Sequence, residues 1–171
     1  MCNVDNTNAH RDSTGPEILE QMEGPIDGWV ASVGTGGTLL GVAQTLKEQH
    51  PDLQVVGVVP TDDLRIEWVR SRAVHKALDG FGVPGQRFLM EDLLESNVMD
   101  QEITIENADA RNMADRLCRE EGLYCGMSSG ANVVAAIELA RTMKPGARIV
   151  TVIVDRRDRY FAEHPNEHYV V

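Results

Sequence analysis

Apolar and polar positions change rhythm several times along the chain, and each rhythm predicts an element. Trp29–Ser32 is a short apolar run, read as a strand. From Gly37 to Lys47 the spacing turns helical, with Leu39, Leu40, Val42, Ala43 and Leu46 distributed along it. Gln54–Val59 is rich in β-branched residues and has no polar alternation, the pattern of a strand buried on both faces. Strand, helix and strand fit within about 30 residues, the size of one βαβ unit.

A second helix is expected over Asn107–Glu121. Ala110, Met113, Ala114, Leu117 and Cys118 recur at spacings of three and four, and Gly122 ends the pattern. The segment Leu123–Cys125 leads into a further helix over Gly130–Thr142, Lys144-Pro145-Gly146 makes a turn, and Arg148–Val154 reads as a third buried strand. Alternating strands and helices predict an α/β domain with a mainly parallel sheet. Elsewhere the pattern is weak. Met1–Asp12 is polar and rich in Asn, which reads as an irregular connector, and Thr14-Gly15-Pro16-Glu17 opens a short helix with Pro16 in its first turn. Thr61–Glu102 has little periodicity and contains Gly80-Phe81-Gly82-Val83-Pro84-Gly85, and the tail beyond Asp155 is charged and aperiodic.

Composition narrows the function. With 42% hydrophobic residues, the 171 residues suffice for one domain with its own core. No apolar run approaches a membrane span, and no leader pattern opens the chain, so a soluble, cytoplasmic protein is expected. The net charge of −11 repels phosphodiester backbones and anionic lipid, which argues against nucleic acid and membrane as partners. Cys2, Cys118 and Cys125 are odd in number and not closely paired, so neither a disulfide framework nor a zinc knuckle is expected. Cys118 and Cys125 read as small buried hydrophobes. His50, His75, His164 and His168 are scattered and read as surface residues, leaving no metal site.

Candidate chemistry concentrates in two places. Val33-Gly34-Thr35-Gly36-Gly37-Thr38 joins the first strand to its helix, where open α/β sheets bind anions against a helix N-terminus. Three glycines let the backbone approach an anion, and two threonine hydroxyls add donors. A Walker loop is excluded, because no lysine occurs before Lys47. The dinucleotide fingerprint also fails: its sixth position is Leu39, and the next strand ends in Val59-Pro60, not in an acid. A terminal phosphate suits the loop, although a tight turn without ligand fits the same residues. The second place is Gly122–Ala131, where Ser128 and Ser129 precede the later helix. Ser129 is the better candidate for a helix cap; for Ser128, capping and ligand contact stand equal.

In order along the chain, Thr14-Gly15-Pro16-Glu17-Ile18, Gly34–Thr38, His75-Lys76 with Gly80 and Gly82, Glu121–Ala131 and Asp155–Tyr160 resemble segments of the cysteine synthase (O-acetylserine sulfhydrylase) family of fold-type II pyridoxal-phosphate enzymes, cystathionine beta-synthase-like relatives included. The corresponding family segments are T-G-P-E-I, G-T-G-G-T, H-K-x-x-G-x-G, E-G-(I/L)-x-x-G-x-S-S-G-A and D-S-G-E-R-Y. The resemblance implies a three-layer, doubly wound, Rossmann-like domain with pyridoxal 5′-phosphate as cofactor. Gly34, Thr35, Gly36, Gly37 and Thr38 would hold its phosphate, and Ser128 its pyridine nitrogen. The implied reaction is β-replacement on an activated serine, O-acetylserine or O-phosphoserine, with sulfide giving cysteine. A serine at the ring nitrogen makes a weaker electron sink than a carboxylate, which suits that chemistry.

Two family motifs have no counterpart. The Schiff-base lysine lies in S-x-K-D/N-R and the substrate carboxylate loop is T-S-G-N-T, both in the family's N-terminal half. This chain has only Lys47, Lys76 and Lys144, expected at a helix end, in the H-K loop and in a turn respectively. Residues 1–171 are therefore expected to be the C-terminal part of such an enzyme, without a catalytic residue of its own. The partner would be the missing half or a full-length homologue, and the intact family is typically homodimeric. The alternatives are a non-catalytic interaction protein docking on a homologue, or a cystathionine beta-synthase-like relative. Two departures, the spacing of Asp79–Arg87 and Asp155-Arg156-Arg157-Asp158 in place of D-S-G-E, leave the activated serine open.

Overall fold

A computed structural model describes residues 3–61 and 89–160. Four strands form one sheet: β1 (Gly28–Ser32), β2 (Gln54–Pro60), β3 (Gln101–Ile105) and β4 (Ile149–Thr151). Their order is β3-β2-β1-β4, and every pairing is parallel. The helices are α1 (Asp5–Ala9), α2 (Gly15–Gln21), α3 (Gly37–Gln49), α4 (Leu89–Ser96), α5 (Asn107–Glu121) and α6 (Met127–Thr142).

Side-chain alternation along the strands builds the two core layers. Trp29, Ala31, Val55 and Val59 face α3, where Leu39, Val42 and Leu46 meet them, and Leu93 of α4 joins this layer. Val30, Val56, Val58, Ile103 and Ile105 point the other way, onto Ala110 of α5 and Ala135 and Leu139 of α6. The sheet is thus covered on both faces, which explains why β2 reads as an unbroken β-branched run. Trp29, Leu39 and Leu46 are fully buried, and each aliphatic side chain so placed contributes about 1.5–3 kcal/mol of transfer free energy. The Trp29 indole N–H also donates to the Leu39 carbonyl at 3.2 Å, tying the first turn of α3 to the sheet.

The strand order places the site. From β1 the chain moves outward to β2 and β3 with α3 and α4 on one face. It then returns past β1 to β4, with α5 and α6 on the other face. The connections leaving β1 and entering β4 lie on opposite faces, which opens a crevice at the C-terminal ends of these strands. The glycine loop follows β1 at that point.

The expected three-layer parallel architecture is the observed one, with local differences. Met1–Asp12 is not an irregular connector where it is described: α1 is followed by a π-helical turn, His10–Thr14, that packs on α3. Its polar residues hide no apolar stripe because the contact is made largely by backbone. A Cβ on Gly41 of α3 would stand 2.3 Å from the Thr7 carbonyl oxygen. The third strand of the sequence reading shrinks from Arg148–Val154 to β4, half-buried and paired only with β1 among the described residues. β3, which the reading did not place, pairs with β2. The expected helix Gly130–Thr142 begins three residues earlier, at Met127. The His75-Lys76 loop with Gly80 and Gly82, the Asp79–Arg87 stretch, and His164 and His168 lie outside the described residues.

Candidate functional site

The glycine loop takes its shape from one left-handed residue. Gly36 has φ +91° and forms the N-cap of α3, a conformation that costs any side chain with a Cβ. Around Gly34 a Cβ would meet nothing within 4 Å, so its backbone faces open space. The Thr35 hydroxyl accepts the Gly37 N–H at 3.3 Å and folds the loop over the helix end. The first N–H groups of a helix have no intrahelical acceptors, and the helix dipole adds partial positive charge there. A phosphate group fits such a cradle.

Thr38 is held from outside the loop. Its Oγ1 lies 3.0 Å from Nε2 of His10, whose Nδ1 lies 3.0 Å from Thr14 Oγ1. One imidazole thus connects the α1–α2 segment to the cup. Sequence reasoning missed His10, because no apolar periodicity surrounds it; the four-residue step from His10 to Thr14, one helical turn, was the available signal.

Beside the cup lies a cavity of about 90 Å³. Ser32, Pro60 and Ile105 at the strand ends form its floor, and Asn107, Met127 and Ser128 from the starts of α5 and α6 form its wall. Ser128 is half-buried in the first turn of α6. The lining is mostly apolar with a few hydroxyl and amide groups, which suits a flat ring bearing polar substituents. Ser32 directly precedes the glycine loop, so cavity and cup are neighbours along the sheet edge. Ser32 and Asn107 had no signal in the sequence beyond lying at element ends.

Ser129 does not cap α6. The N-cap is Gly126, without a side-chain bond, and Ser129 lies inside the first turn, fully buried. Its hydroxyl accepts the Val154 N–H at 3.0 Å, joining α6 to the chain beyond β4. Asn132, one turn later and also buried, donates to the Val152 carbonyl at 3.0 Å. Cys125 is buried as expected, while Cys118 is only partly so. Burial pushes the Cys125 thiol up from its ordinary pKa, more than contact with Ser129 and the charge of Arg157 lower it. That keeps the thiol protonated and unreactive.

Both described lysines lie away from the cavity. Lys47 ends α3, but it is not simply solvated: Nζ is 3.0 Å from Asp100, which also accepts the Val55 N–H at 2.8 Å. Lys144, in its turn, is 3.4 Å from Asp27. Asp100 and Asp27 precede β3 and β1, so both pairs sit at the N-terminal edge of the sheet, opposite the glycine loop. Lys76 lies outside the described residues. Among the described residues, no group of three or more His, Cys, Asp or Glu is placed to hold a metal, and no helix is long and apolar enough to cross a membrane.

A parallel sheet covered on both faces, with a glycine loop at its switch point and an apolar cavity alongside, has the form of α/β domains that take ligands at strand C-termini. Comparison with known proteins gives the family. Residues 1–155 match the model of the pyridoxal-phosphate dependent enzymes, and the chain belongs to that family. It is 37% identical over 166 residues to cysteine synthase B of Pseudomonas aeruginosa, covering 95% of this chain and 50% of that protein. It is 38% identical over 169 residues to cystathionine beta-synthase of Dictyostelium discoideum, covering 99% of this chain and 34% of that one. Among solved structures, the O-acetylserine dependent cystathionine beta-synthase of Helicobacter pylori superposes with a TM-score of 0.75 at 27% identity, covering 94% of this chain and 50% of that one. The chain thus spans half or less of the length of these relatives. The cofactor of the family is pyridoxal phosphate, in agreement with the resemblance read from the sequence.

Proposed function

We propose that this chain is the C-terminal, cofactor-binding half of an enzyme that performs β-replacement on an activated serine. The activated serine is O-acetylserine or O-phosphoserine, and sulfide is the nucleophile that completes cysteine. The observation that carries the reading is the placement of the Gly34–Thr38 cup beside the cavity lined by Ser128. Gly34, Thr35, Gly36, Gly37 and Thr38 hold the cofactor phosphate, and the Ser128 hydroxyl meets the pyridine nitrogen. When bound, the cofactor supplies an electron sink for bond cleavage at the substrate's α and β carbons. This chain's own residues bind and orient: the cup neutralises phosphate charge, the apolar wall excludes water from the ring, and Ser128 offers a neutral hydrogen bond to the nitrogen.

The lysine that anchors the cofactor and the loop that grips the substrate carboxylate belong to the rest of the enzyme, supplied by the missing N-terminal half or by a full-length homologue, and the intact enzyme is a homodimer. Two observations support this division. Lys47 and Lys144 are paired at the opposite end of the sheet from the glycine loop, and this chain covers only 50% and 34% of the matched relatives. The names of those relatives, cysteine synthase and cystathionine beta-synthase, favour β-replacement over other chemistry of this cofactor.

The test is a binding titration with pyridoxamine 5′-phosphate, which needs no lysine aldimine to be retained, followed by borohydride treatment of a sample incubated with pyridoxal 5′-phosphate. Saturable binding, competed by inorganic phosphate, with no stoichiometric reduction onto one lysine, is the expected result. Stoichiometric labelling of Lys47, Lys76 or Lys144 would overturn the division of the site, and absence of any phosphate-competed binding would overturn the cofactor reading itself.

A further inference from the structure

Arg157 lies in the stretch that reads from sequence as a charged, aperiodic tail, yet it is 3% exposed. A buried guanidinium is costly unless its donors are matched, and here they are matched by α5 together with the turn that precedes α6. Nη1 donates to Asp115 Oδ1 of α5 at 2.5 Å, and Nε donates to the Cys125 carbonyl at 3.2 Å. The guanidinium carbon stands 5.7 Å from the centre of the Tyr124 ring, within cation–π range. The backbone adds to this. The Arg157 N–H donates to the Tyr124 carbonyl at 3.4 Å, the Gly126 N–H donates to the Asp155 carbonyl at 3.0 Å, and Cys125 and Arg156 form an antiparallel bridge.

The residues so fastened are those that set the start of α6. Gly126 is its N-cap, and the Gly126 carbonyl accepts the N–H groups of Ser129 and Gly130 at 3.2 and 3.3 Å. Ser128 lies between two fixed points: Cys125, held by Arg157, and Ser129, held by Val154. We propose that Arg157 is a positioning residue for the ring end of the site, fixing the Tyr124–Gly126 turn against α5 so that Ser128 faces the cavity. Arg157 does not line the cavity itself, and its contacts with Asp115, Tyr124 and Cys125 lie at the start of α6, so it acts on the ring contact and leaves the phosphate contact alone. Asp115 is its counterpart; with a side chain 34% exposed, it keeps access to water when the guanidinium is removed.

The inference rests in part on the cofactor reading, so its test has one arm that needs no cofactor. In the first arm, the modification rate of the Cys125 thiol by a maleimide is followed by mass spectrometry in wild type, Arg157→Ala, Arg157→Lys and Leu46→Val. Leu46→Val is a destabilisation remote from the turn. At matched stability, Arg157→Ala should react about tenfold faster at Cys125 than Leu46→Val, with Arg157→Lys between, since ammonium retains the charge but not the two-acceptor fork. Equal rates in the matched variants would overturn the proposal. In the second arm, Arg157→Lys should lose between about threefold and tenfold in affinity for pyridoxamine 5′-phosphate, the scale of the one neutral hydrogen bond that Ser128 offers. Its affinity for inorganic phosphate should stay within about twofold of wild type. Equal losses for both ligands would overturn the separation of ring from cup. If the wild-type chain binds neither ligand, the cofactor reading fails and the thiol rates alone decide the role of Arg157.

Discussion

His10 and Thr38, 28 residues apart in sequence, meet through Nε2 and Oγ1 at 3.0 Å. The imidazole spans from the Thr14 hydroxyl to the last residue of the glycine loop, so a segment without hydrophobic pattern holds part of that loop. Replacing His10 with alanine removes both bonds. The one to Thr38, which alone reaches the loop, is worth about 0.5–1.5 kcal/mol, so phosphate affinity should fall between about twofold and tenfold. Calorimetric titration with inorganic phosphate measures it; an unchanged affinity would mean that Thr38 keeps its place without the histidine.

The adjacent serines should separate cleanly. Ser129→Ala removes the acceptor of the part-buried Val154 N–H and should cost about 0.5–1.5 kcal/mol in denaturant unfolding. Ser128→Ala, half-buried at the cavity, should change stability by less than about 0.5 kcal/mol. It should nevertheless weaken pyridoxamine 5′-phosphate binding. The opposite pattern would move the ring contact from Ser128 to Ser129.

Gly130 sets how closely α5 and α6 pack. A Cβ there would stand 2.0 Å from the Ala110 carbonyl oxygen and 2.8 Å from the Ala114 nitrogen, both backbone atoms. Gly130→Ala must therefore push the helices apart, and we expect a loss of roughly 2–3 kcal/mol, at the upper end for overpacking. The shift of the urea midpoint at constant slope gives the value.

Asp27 predicts part of the acid response. The Arg148 N–H, 2.9 Å from its carboxylate, holds its pKa below the usual carboxylate value against a smaller opposing effect of burial, and Lys144 adds to the lowering. A depressed folded-state pKa means that the stabilisation is present above the unfolded value and is lost as pH falls through the folded one. Asp27→Asn should therefore lower stability near neutrality, change it little at the acid end, and so flatten the low-pH limb of the stability curve. Parallel acid limbs for the two proteins would show that other carboxylates carry the response.

The sheet edge at β4 offers a further check on the division of the enzyme. Ile153 and Val154 are 43% and 49% exposed just beyond β4, which has one strand partner among the described residues. Exposed apolar residues beside an open strand edge favour pairing with another chain. Added to the N-terminal half of a relative, this chain should protect the amides of Ile149–Val154 from hydrogen exchange. Unchanged exchange there would place the contact elsewhere.

Much of this protein was legible in its residues. β1, β2, α3 and α5 follow from periodicity, because each buries a side whose rhythm is written locally and independently of the rest of the chain. The end of α5 is legible for the same reason: Gly122 adopts φ +71°, and the Leu123 N–H closes on the Leu117 carbonyl, a local glycine-dependent stop. The glycine loop, and the family that the ordered motifs resemble, were equally readable, since an anion cradle needs particular residues at particular steps. What the tertiary structure alone decided are the contacts between distant, unpatterned residues. His10 reaches Thr38, Ser129 serves Val154 instead of capping its own helix, and β4 keeps only the three residues that pair with β1. Arg157, a charge that composition would leave in water, is buried because Asp115, Tyr124 and Cys125 come together around it only after α5 and α6 have packed. Periodicity records which face of an element is buried; it carries no record of which polar group waits on the other side.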